Sequence, residues 1–381
     1  MGRPMHILIA PDSFKDCLSA VEVSRALRKG IISVLRDATV QLLPLADGGE
    51  GTVEAVIQAT GGYRVTLKVR DPLMREVVSF YGITGDGQTA VIEMAAASGI
   101  ELLTPSERDP WVTSTYGTGE LMLDAVAKGC RRILVGIGGS ATNDGGAGMA
   151  SALGVRLLKE SGSPIKEGGG GLGHLHEIDA TGMDPRIQEC EILVACDVNN
   201  PLTGPEGASC TYGPQKGADA DMVARLDANL DHFARLLQQQ MAVDVSEIPG
   251  AGAAGGLGAG LMAFTGAKLV NGFEMIAETV HLISKIKQAD LVITGEGRMD
   301  HQTQFGKTPF GVAQLASKLG KPVIGVAGSL EAGSEVLYQH GFTLLLPIIE
   351  KPVDLSYALE HAGELLAHAG ERIGRMLLIL R

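Results

Sequence analysis

The stretch that decides the fold is HILIAPDSFKDCLSAVE, residues 6–22, because it holds a complete strand-to-helix transition. His6–Ala10 is a short apolar run typical of a strand, and a proline–aspartate–serine turn ends it. Ser19, followed three residues later by Glu22, forms a capping box and predicts that a helix begins there. The pattern repeats when Val40–Leu45 runs into a glycine loop and a helix. Two such units in succession predict a parallel sheet.

The middle of the chain follows a different pattern. Three strand-like runs follow one another with only turns between them, which predicts an antiparallel meander: Tyr63–Arg70, Glu76–Thr84 and Thr89–Met94. Strand–helix alternation then resumes, and the C-terminal part resembles the start. We therefore expect an α/β protein of two domains. One has a parallel sheet built from both chain ends, residues 1–62 and 288–381, and the other is an inserted α/β domain with a mixed sheet, residues 63–287.

Three further segments carry predictions of local structure. Asp354–Leu380 predicts one long helix, and the four glycines of Gly168–Gly171 predict a mobile loop tip. Ile248–Ala267 has no charge, but its many glycines favour a loop leading into a buried helix over a membrane span.

Composition and charge exclude several classes of protein. With 381 residues, of which 45% are hydrophobic and 20% charged, the chain is long enough for two domains and too apolar for general disorder. A net charge of −12 argues against a nucleic-acid or acidic-membrane partner. The five cysteines form no CxxC pair, which favours reduced thiols and a cytoplasmic location. Glycine is in excess, at 52 residues, and it is clustered.

Most glycine- or acid-bearing loops follow predicted strands, where open α/β sheets bind ligands. Lys15 lies just before a predicted helix start, a position that suits an anion. Asp47, in the loop ADGGEGT, could orient a hydroxyl group or hold Mg²⁺, and Asp197, followed by two asparagines, suits the same contacts. For each of these residues a turn or surface role remains open.

The richest loop is GIGGSATNDGGAG, residues 136–148. Successive small residues after a strand can form a nest of backbone N–H groups that binds phosphate. Its polar side chains can each hydrogen-bond an oxygen ligand: Ser140, Thr142, Asn143 and Asp144. So many glycines and small polar groups favour a ligand site over a structural turn.

One motif keeps a different enzyme class open. Gly250, Gly252 and Gly255 fit the pattern GxGxxG, so an NAD-dependent oxidoreductase acting on a small hydroxy acid is an alternative. No convincing strand precedes these glycines, which weakens the match.

The segment that follows Thr294 combines acids with cations. Gly306-Lys307-Thr308 looks like the end of a P-loop, but His301 stands where that motif requires glycine, so we exclude it. Glu296 and Asp300 flank Arg298, which gives metal-type acids beside an anion clamp.

Seven motifs occur in order along nearly the whole chain: APDSFKDCLSA (10–20), PLADGGEGT (44–52), STYGTGE (114–120), GIGGSATNDGGAGMASALG (136–154), CDVNNPLTGPEGA (196–208), PGAGAAGGLGAG (249–260) and DLVITGEGRMD (290–300). Together they resemble the type I glycerate kinase family. The resemblance implies ATP-dependent phosphorylation of D-glycerate to 2-phosphoglycerate. It also implies that the domain built from both chain ends is flavodoxin-like, of Rossmann type, and that the active site lies in the cleft between the two domains.

With that reaction in view, we assign roles as hypotheses. Asp47 or Asp197 accepts the hydroxyl proton, and Lys15 joins them in catalysis by stabilising charge. Asp12, Ser13 and Arg298 contact the substrate, and Glu296 and Asp300 hold Mg²⁺. Two loops cradle phosphates or glycerate: Gly138, Gly139 and Ser140 in one, and Gly252, Gly255 and Gly256 in the other. The partners expected are the small molecules D-glycerate and ATP, with no nucleic acid and no membrane, and the oligomeric state stays open. A non-enzymatic small-acid-binding protein is a further alternative.

Overall fold

The computed structural model describes residues 3–304 and 307–379. The strands are β1 His6–Ile9, β2 Thr39–Leu42, β3 Tyr63–Arg70, β4 Glu76–Ile83, β5 Thr89–Glu93, β6 Arg132–Gly136, β7 Arg156–Leu158, β8 Glu177–Asp179, β9 Glu191–Ala195, β10 Lys268–Val270, β11 Leu291–Met299, β12 Val323–Leu330 and β13 Leu344–Pro347. The α-helices are α1 Ala20–Val34, α2 Thr52–Thr60, α3 Ala95–Ser98, α4 Tyr116–Ala127, α5 Ala147–Ala152, α6 Gly169–Leu172, α7 Pro185–Gln188, α8 Ala208–Tyr212, α9 Ala220–Met241, α10 Ala253–Thr265, α11 Gly272–Thr279, α12 Leu282–Gln288, α13 Thr308–Lys318, α14 Leu355–Glu360 and α15 Ala362–Ile379.

The described chain divides into two compact units. The first comprises the residues up to Asp47, Glu54–Gly61 and those from Phe273 onwards, and the second comprises Gly48–Val53 and Gly62–Gly272. The sequence-based division at residue 287 differs, because α12 packs against β1 and α13 of the first unit. Lys285 on α12 also donates a hydrogen bond to the Ala59 carbonyl, 3.3 Å away, within the same unit.

The sheet of the first unit is entirely parallel, with the order β2-β1-β11-β12-β13. Counted within the unit, this is 2-1-3-4-5, the flavodoxin-like order, so the predicted fold class is confirmed. The strand order reverses between β1 and β11. Ligands of such sheets bind beside the carboxyl ends of the strands at this reversal.

Helices α1 and α15 pack closely in the first unit. The predicted capping box is present at the start of α1, where Ser19 and Glu22 bond reciprocally. Close approach depends on Gly30, since a Cβ atom there would lie 1.8 Å from the carbonyl oxygen of Ala367 on α15.

We expect Gly30→Ala to destabilise the protein by about 1–3 kcal/mol, because the added methyl group forces the two helices apart. Gly363→Ala on α15 is the matched control, since a Cβ atom there meets nothing within 4 Å. The control should be neutral or gain up to about 1 kcal/mol. Urea unfolding of both variants measures the difference, and equal stabilities would contradict this packing.

The second unit holds a six-stranded mixed sheet with the order β10-β9-β6-β5-β4-β3. β3, β4 and β5 pair antiparallel, which confirms the predicted meander, whereas β5, β6, β9 and β10 pair parallel. The carboxyl ends of these four parallel strands lie at one edge, which places the loop after β6 and Asp197 after β9 at the same edge.

Two predictions of local structure are wrong. The C-terminal helix is two helices, α14 and α15, separated at His361, and Leu380 lies outside the described residues. The loop tip predicted at Gly168–Gly171 is instead the buried short helix α6, because Trp111 and the backbone of Lys166 pack where side chains on these glycines would project. β11 continues to Met299, so the acidic segment after Thr294 begins on a strand.

Candidate functional site

The carboxyl ends of β1 and β11 form the candidate site of the first unit. Asp12 follows β1 directly, and its backbone N–H donates to the Gly295 carbonyl on β11 at 2.8 Å. Thr294 ties the same two strands together through a 2.7 Å hydrogen bond to the Ala10 carbonyl. This is the point where the strand order reverses, and the sequence-predicted residues Asp12, Ser13 and Glu296 lie on these two segments.

Asp12 has an unusual protonation equilibrium. Burial raises the pKa of its carboxyl group to about 7, and the negative charge of Asp47 adds to that effect. The backbone N–H of Ser13 donates to its Oδ1 atom at 2.7 Å. A carboxylate with a pKa near the working pH is suited to accept a proton from a substrate hydroxyl group.

Glu296 is held by two side chains. Its Oε1 atom accepts from the Thr303 hydroxyl at 2.8 Å, and its Oε2 atom accepts from Lys307 Nζ at 3.1 Å. Burial raises the pKa of Glu296, whereas the charge of Lys307 opposes that rise. Lys307 therefore pairs with Glu296, a contact that the sequence analysis did not predict when it excluded a P-loop at residues 306–308. Gly306 of that motif lies outside the described residues.

Asp300 is buried and also engaged by protein donors. Its Oδ2 atom accepts from Arg298 at 3.1 Å, and its Oδ1 atom accepts from the Gln302 backbone at 2.7 Å. Burial works to raise its pKa, but the Gln302 hydrogen bond and the charges of Lys307 and Arg298 outweigh it and lower the pKa. Asp300 thus carries a stable negative charge.

Glu296 and Asp300 suit a Mg²⁺ ion that takes its remaining ligands from water and substrate phosphates. Residues 3–304 and 307–379 contain no group of three or more histidine, cysteine or acidic side chains that could hold a metal ion. In phosphoryl-transfer sites Mg²⁺ commonly takes one or two carboxylates, together with water and substrate phosphates. The acids Glu296 and Asp300 fit that pattern.

Two predicted cations of the first unit are exposed. The Lys15 side chain is exposed and pairs with no carboxylate in the described part of the chain. The Arg298 side chain is 63% exposed although it contacts Asp300. Asp47, which follows β2, is exposed as well. Exposed cations next to a strand edge can bind an incoming carboxylate or phosphate without first losing a buried partner.

The loop after β6 is the candidate site of the second unit. Gly138 and Gly139 are exposed at its tip, and Ser140 behind them is buried. A Cβ atom at Gly138 would lie 3.7 Å from the nearest atom, Cα of Gly49, so the surroundings do not demand glycine there. Bare backbone at the tip is compatible with close approach of a phosphate.

Asp144 shapes this loop and has no free oxygen for a ligand. Its fully buried carboxylate accepts from the Thr115 N–H and hydroxyl groups, both at 2.8 Å, and from the N–H groups of Gly146 and Gly148, both at 3.1 Å. Burial raises its pKa and these four donors lower it, with burial the larger effect. The expectation that Asp144 bonds an oxygen ligand is therefore wrong, because protein donors surround it.

Lys216 belongs to the same loop system, although sequence reasoning missed it. It is 2% exposed, and its Nζ atom donates to Ser140 Oγ at 2.7 Å and to the Thr142 carbonyl at 2.6 Å. The signal in the sequence was the segment YGPQKG, residues 212–217, where a lysine stands between glycines. Gly217 has φ +98°, and a Cβ atom there would lie 2.2 Å from the Arg108 carbonyl oxygen.

The glycines of residues 250–256 pack against protein backbone. A Cβ atom at Gly252 would lie 2.1 Å from the Pro201 carbonyl oxygen, and one at Gly255 would lie 1.9 Å from that of Thr142. Ala254, Gly255 and Gly256 are all left-handed, so regular helix begins at Leu257. The segment follows α9 and runs into the first turn of α10 rather than following a strand, which does not favour an NAD site.

Asp197 anchors the end of β10. Its Oδ1 atom accepts from the Asn271 side chain at 2.7 Å and from the Gly272 N–H at 3.1 Å. Asp197 therefore stabilises the turn that follows β10, besides any contact with substrate.

No described helix is both long and apolar enough to cross a membrane, and all five cysteines are free thiols. The buried helix expected within residues 248–267 is α10, most of whose residues are buried.

Comparison with known proteins identifies relatives along the whole chain. Residues 7–378 match the model of the glycerate kinase family. The chain is 50% identical to "Glycerate kinase" of Halalkalibacterium halodurans, over 96% of this chain and 97% of that one. It is 50% identical to "Glycerate 2-kinase" of Escherichia coli, over 98% of each. A crystal structure named as a glycerate kinase 2 from Salmonella typhimurium superposes with a TM-score of 0.91, at 49% identity and 99% coverage of both chains.

Proposed function

The chain belongs to the glycerate kinase family, and from that premise we propose that it transfers the γ-phosphoryl group of ATP to D-glycerate, forming 2-phosphoglycerate and ADP. The observation that carries this proposal is the near-complete match to a relative named glycerate 2-kinase. The alternatives, an oxidoreductase or a binding protein without activity, are not favoured by any of these relatives. Membership of this family implies small-molecule substrates, whereas a cytoplasmic location and the absence of a nucleic-acid partner remain predictions from composition.

Phosphoryl transfer requires positioning and charge stabilisation more than covalent chemistry. The exposed cations Lys15 and Arg298 would bind the glycerate carboxylate or the phosphoryl oxygens. Ser13, next to Asp12 at the end of β1, would contact the substrate. Glu296 and Asp300 would hold Mg²⁺, which neutralises phosphate charge when bound.

Asp12 joins Asp47 and Asp197 as a candidate proton acceptor, and we place it first. Its half-buried position at the end of β1, and the pKa of about 7 that burial produces, support this order. Asp197 is less suited, because one of its oxygens already accepts from Asn271 and Gly272. The proton of the C2 hydroxyl group would move to the carboxylate as the oxygen attacks the γ-phosphorus atom.

The phosphates of ATP are assigned to the loop after β6. The exposed backbone of Gly138 and Gly139 and the buried hydroxyl of Ser140 support this assignment. For Gly252, Gly255 and Gly256 the assignment is weaker, since the space beside each is filled by protein atoms.

The test is a coupled assay with Mg-ATP and D-glycerate. 2-Phosphoglycerate feeds enolase directly, whereas 3-phosphoglycerate needs phosphoglycerate mutase first, so we expect signal from enolase without mutase. Signal only with mutase would overturn the position of phosphorylation. No ADP from Mg-ATP, or binding of NAD(H) in preference to Mg-ATP by the wild-type protein, would overturn the kinase proposal.

A further inference from the structure

The buried side chain of Lys216 has no role in the proposed reaction, although burying its ammonium group costs free energy. An ammonium group buried to 2% exposure loses its hydration, and that loss is large unless partners replace it. The only two acceptors that Lys216 has among residues 3–304 and 307–379 are Ser140 Oγ and the Thr142 carbonyl, and both are neutral. Burial accordingly lowers the pKa of Lys216 to about 7, with the charge of Asp144 opposing the change. A residue chosen for stability alone would be apolar here.

The two acceptors of Lys216 lie on opposite sides of Ala141, in the loop after β6. That loop begins with exposed glycines, which have no side chains to fix their backbone. Other contacts hold its far end, where Asp144 binds the N–H groups of Gly146 and Gly148. At the near end, the Ile100 N–H donates to the Gly139 carbonyl at 2.8 Å and the Ala141 N–H donates to the Ser98 carbonyl at 3.0 Å. Lys216 adds two side-chain hydrogen bonds to these backbone contacts, and it makes the hydroxyl oxygen of Ser140 an acceptor, so that the hydroxyl hydrogen is free for another partner.

We propose that Lys216 is a positioning residue for the phosphate donor: through Ser140 and Thr142 it holds residues 138–142 in the conformation that binds nucleotide phosphates. This proposal rests on the proposed function, because it deepens the role of the same loop. When Lys216 is protonated, it also places a positive charge beside the loop, and a bound polyanion favours that protonated form.

The proposal predicts an effect on one substrate. Loss of a hydrogen bond to a charged donor corresponds to about a 10- to 100-fold change in an affinity. We therefore expect Lys216→Met to raise KM for Mg-ATP by about that factor and to change KM for D-glycerate less than about threefold. Lys216→Arg, which keeps the charge and the donors, should recover part of the loss.

The experiment combines kinetics with a double-mutant cycle. Lys216→Met, Ser140→Ala and the double variant are compared for KM, kcat and direct binding of Mg-ADP by calorimetry. If Lys216 acts through Ser140, the double variant should be little worse than Lys216→Met alone. Lys128→Met, at an exposed lysine on the surface, is the matched control and should behave as wild type.

Several results would overturn the proposal. These are an unchanged affinity for Mg-ADP in both single variants, a rise confined to KM for D-glycerate, and effects that simply add. If Lys216→Met does not fold, Ser140→Ala and Lys216→Arg still decide the matter. Wild-type protein that binds Mg-ADP but makes no ADP with D-glycerate would refute the proposed function and leave the role of Lys216 in nucleotide binding standing.

Discussion

Replacing Asp12 by asparagine is expected to lower kcat by about 10²–10⁴-fold, the range typical for loss of a general base. Asparagine keeps the size and the hydrogen bond from Ser13 but cannot take up the hydroxyl proton of the acceptor. The loss should fall on kcat, because the carboxylate acts on the reacting hydroxyl group in the transition state. The measurement is ADP formation at saturating Mg-ATP and D-glycerate.

Three further variants make that result specific. Asp16→Asn is the matched control, since Asp16 is exposed in the same loop and has φ 59°, a conformation that asparagine also adopts. It should retain wild-type turnover. Asp47→Asn and Asp197→Asn test the other two candidates, and near wild-type turnover in both would remove them. If Asp12→Asn is as active as the control while Asp47→Asn is not, Asp47 is the base.

The sequence predicted the framework of the site because local signals agreed with one another. The capping box at Ser19, the strand before Asp12 and the alternation of strands and helices all indicated a parallel sheet, and the flavodoxin-like order followed from the family resemblance. Such a sheet places ligands at the carboxyl ends of its strands, so Asp12 and Asp47 could be singled out before any contact was known.

Burial could not be predicted from the same signals. Asp144 and Ser140 look alike in the sequence, as small polar residues among glycines, yet Asp144 is enclosed by four donors. The partner Thr115 lies 29 positions away and Lys216 lies 76 positions from Ser140. These pairings depend on how α4, α8 and α9 pack in the second unit, which no local pattern specifies.

Asp144→Ala is expected to destabilise the second unit by about 4 kcal/mol or more, because four buried donors lose their acceptor and each one left without a partner costs about 1–3 kcal/mol. The variant leaves four buried donors without their acceptor: the Thr115 hydroxyl and N–H groups and the N–H groups of Gly146 and Gly148. The chain contains one tryptophan, Trp111, and it lies in this unit, so its fluorescence reports the unfolding.

Asp144→Asn separates the hydrogen bonds from the charge. Its amide oxygen replaces one acceptor, while its NH₂ group faces donors, so an intermediate loss of about 1–3 kcal/mol is expected. A structural role requires both variants to lower the urea midpoint while the surviving folded protein keeps its affinity for Mg-ADP within about tenfold. An unchanged midpoint together with lost nucleotide binding would instead mean that Asp144 contacts the ligand, and the enclosed carboxylate described above would be wrong. The expected order of the two losses of stability follows from the number of acceptors removed. Alanine removes both carboxylate oxygens, whereas asparagine removes the charge and one of the two oxygens.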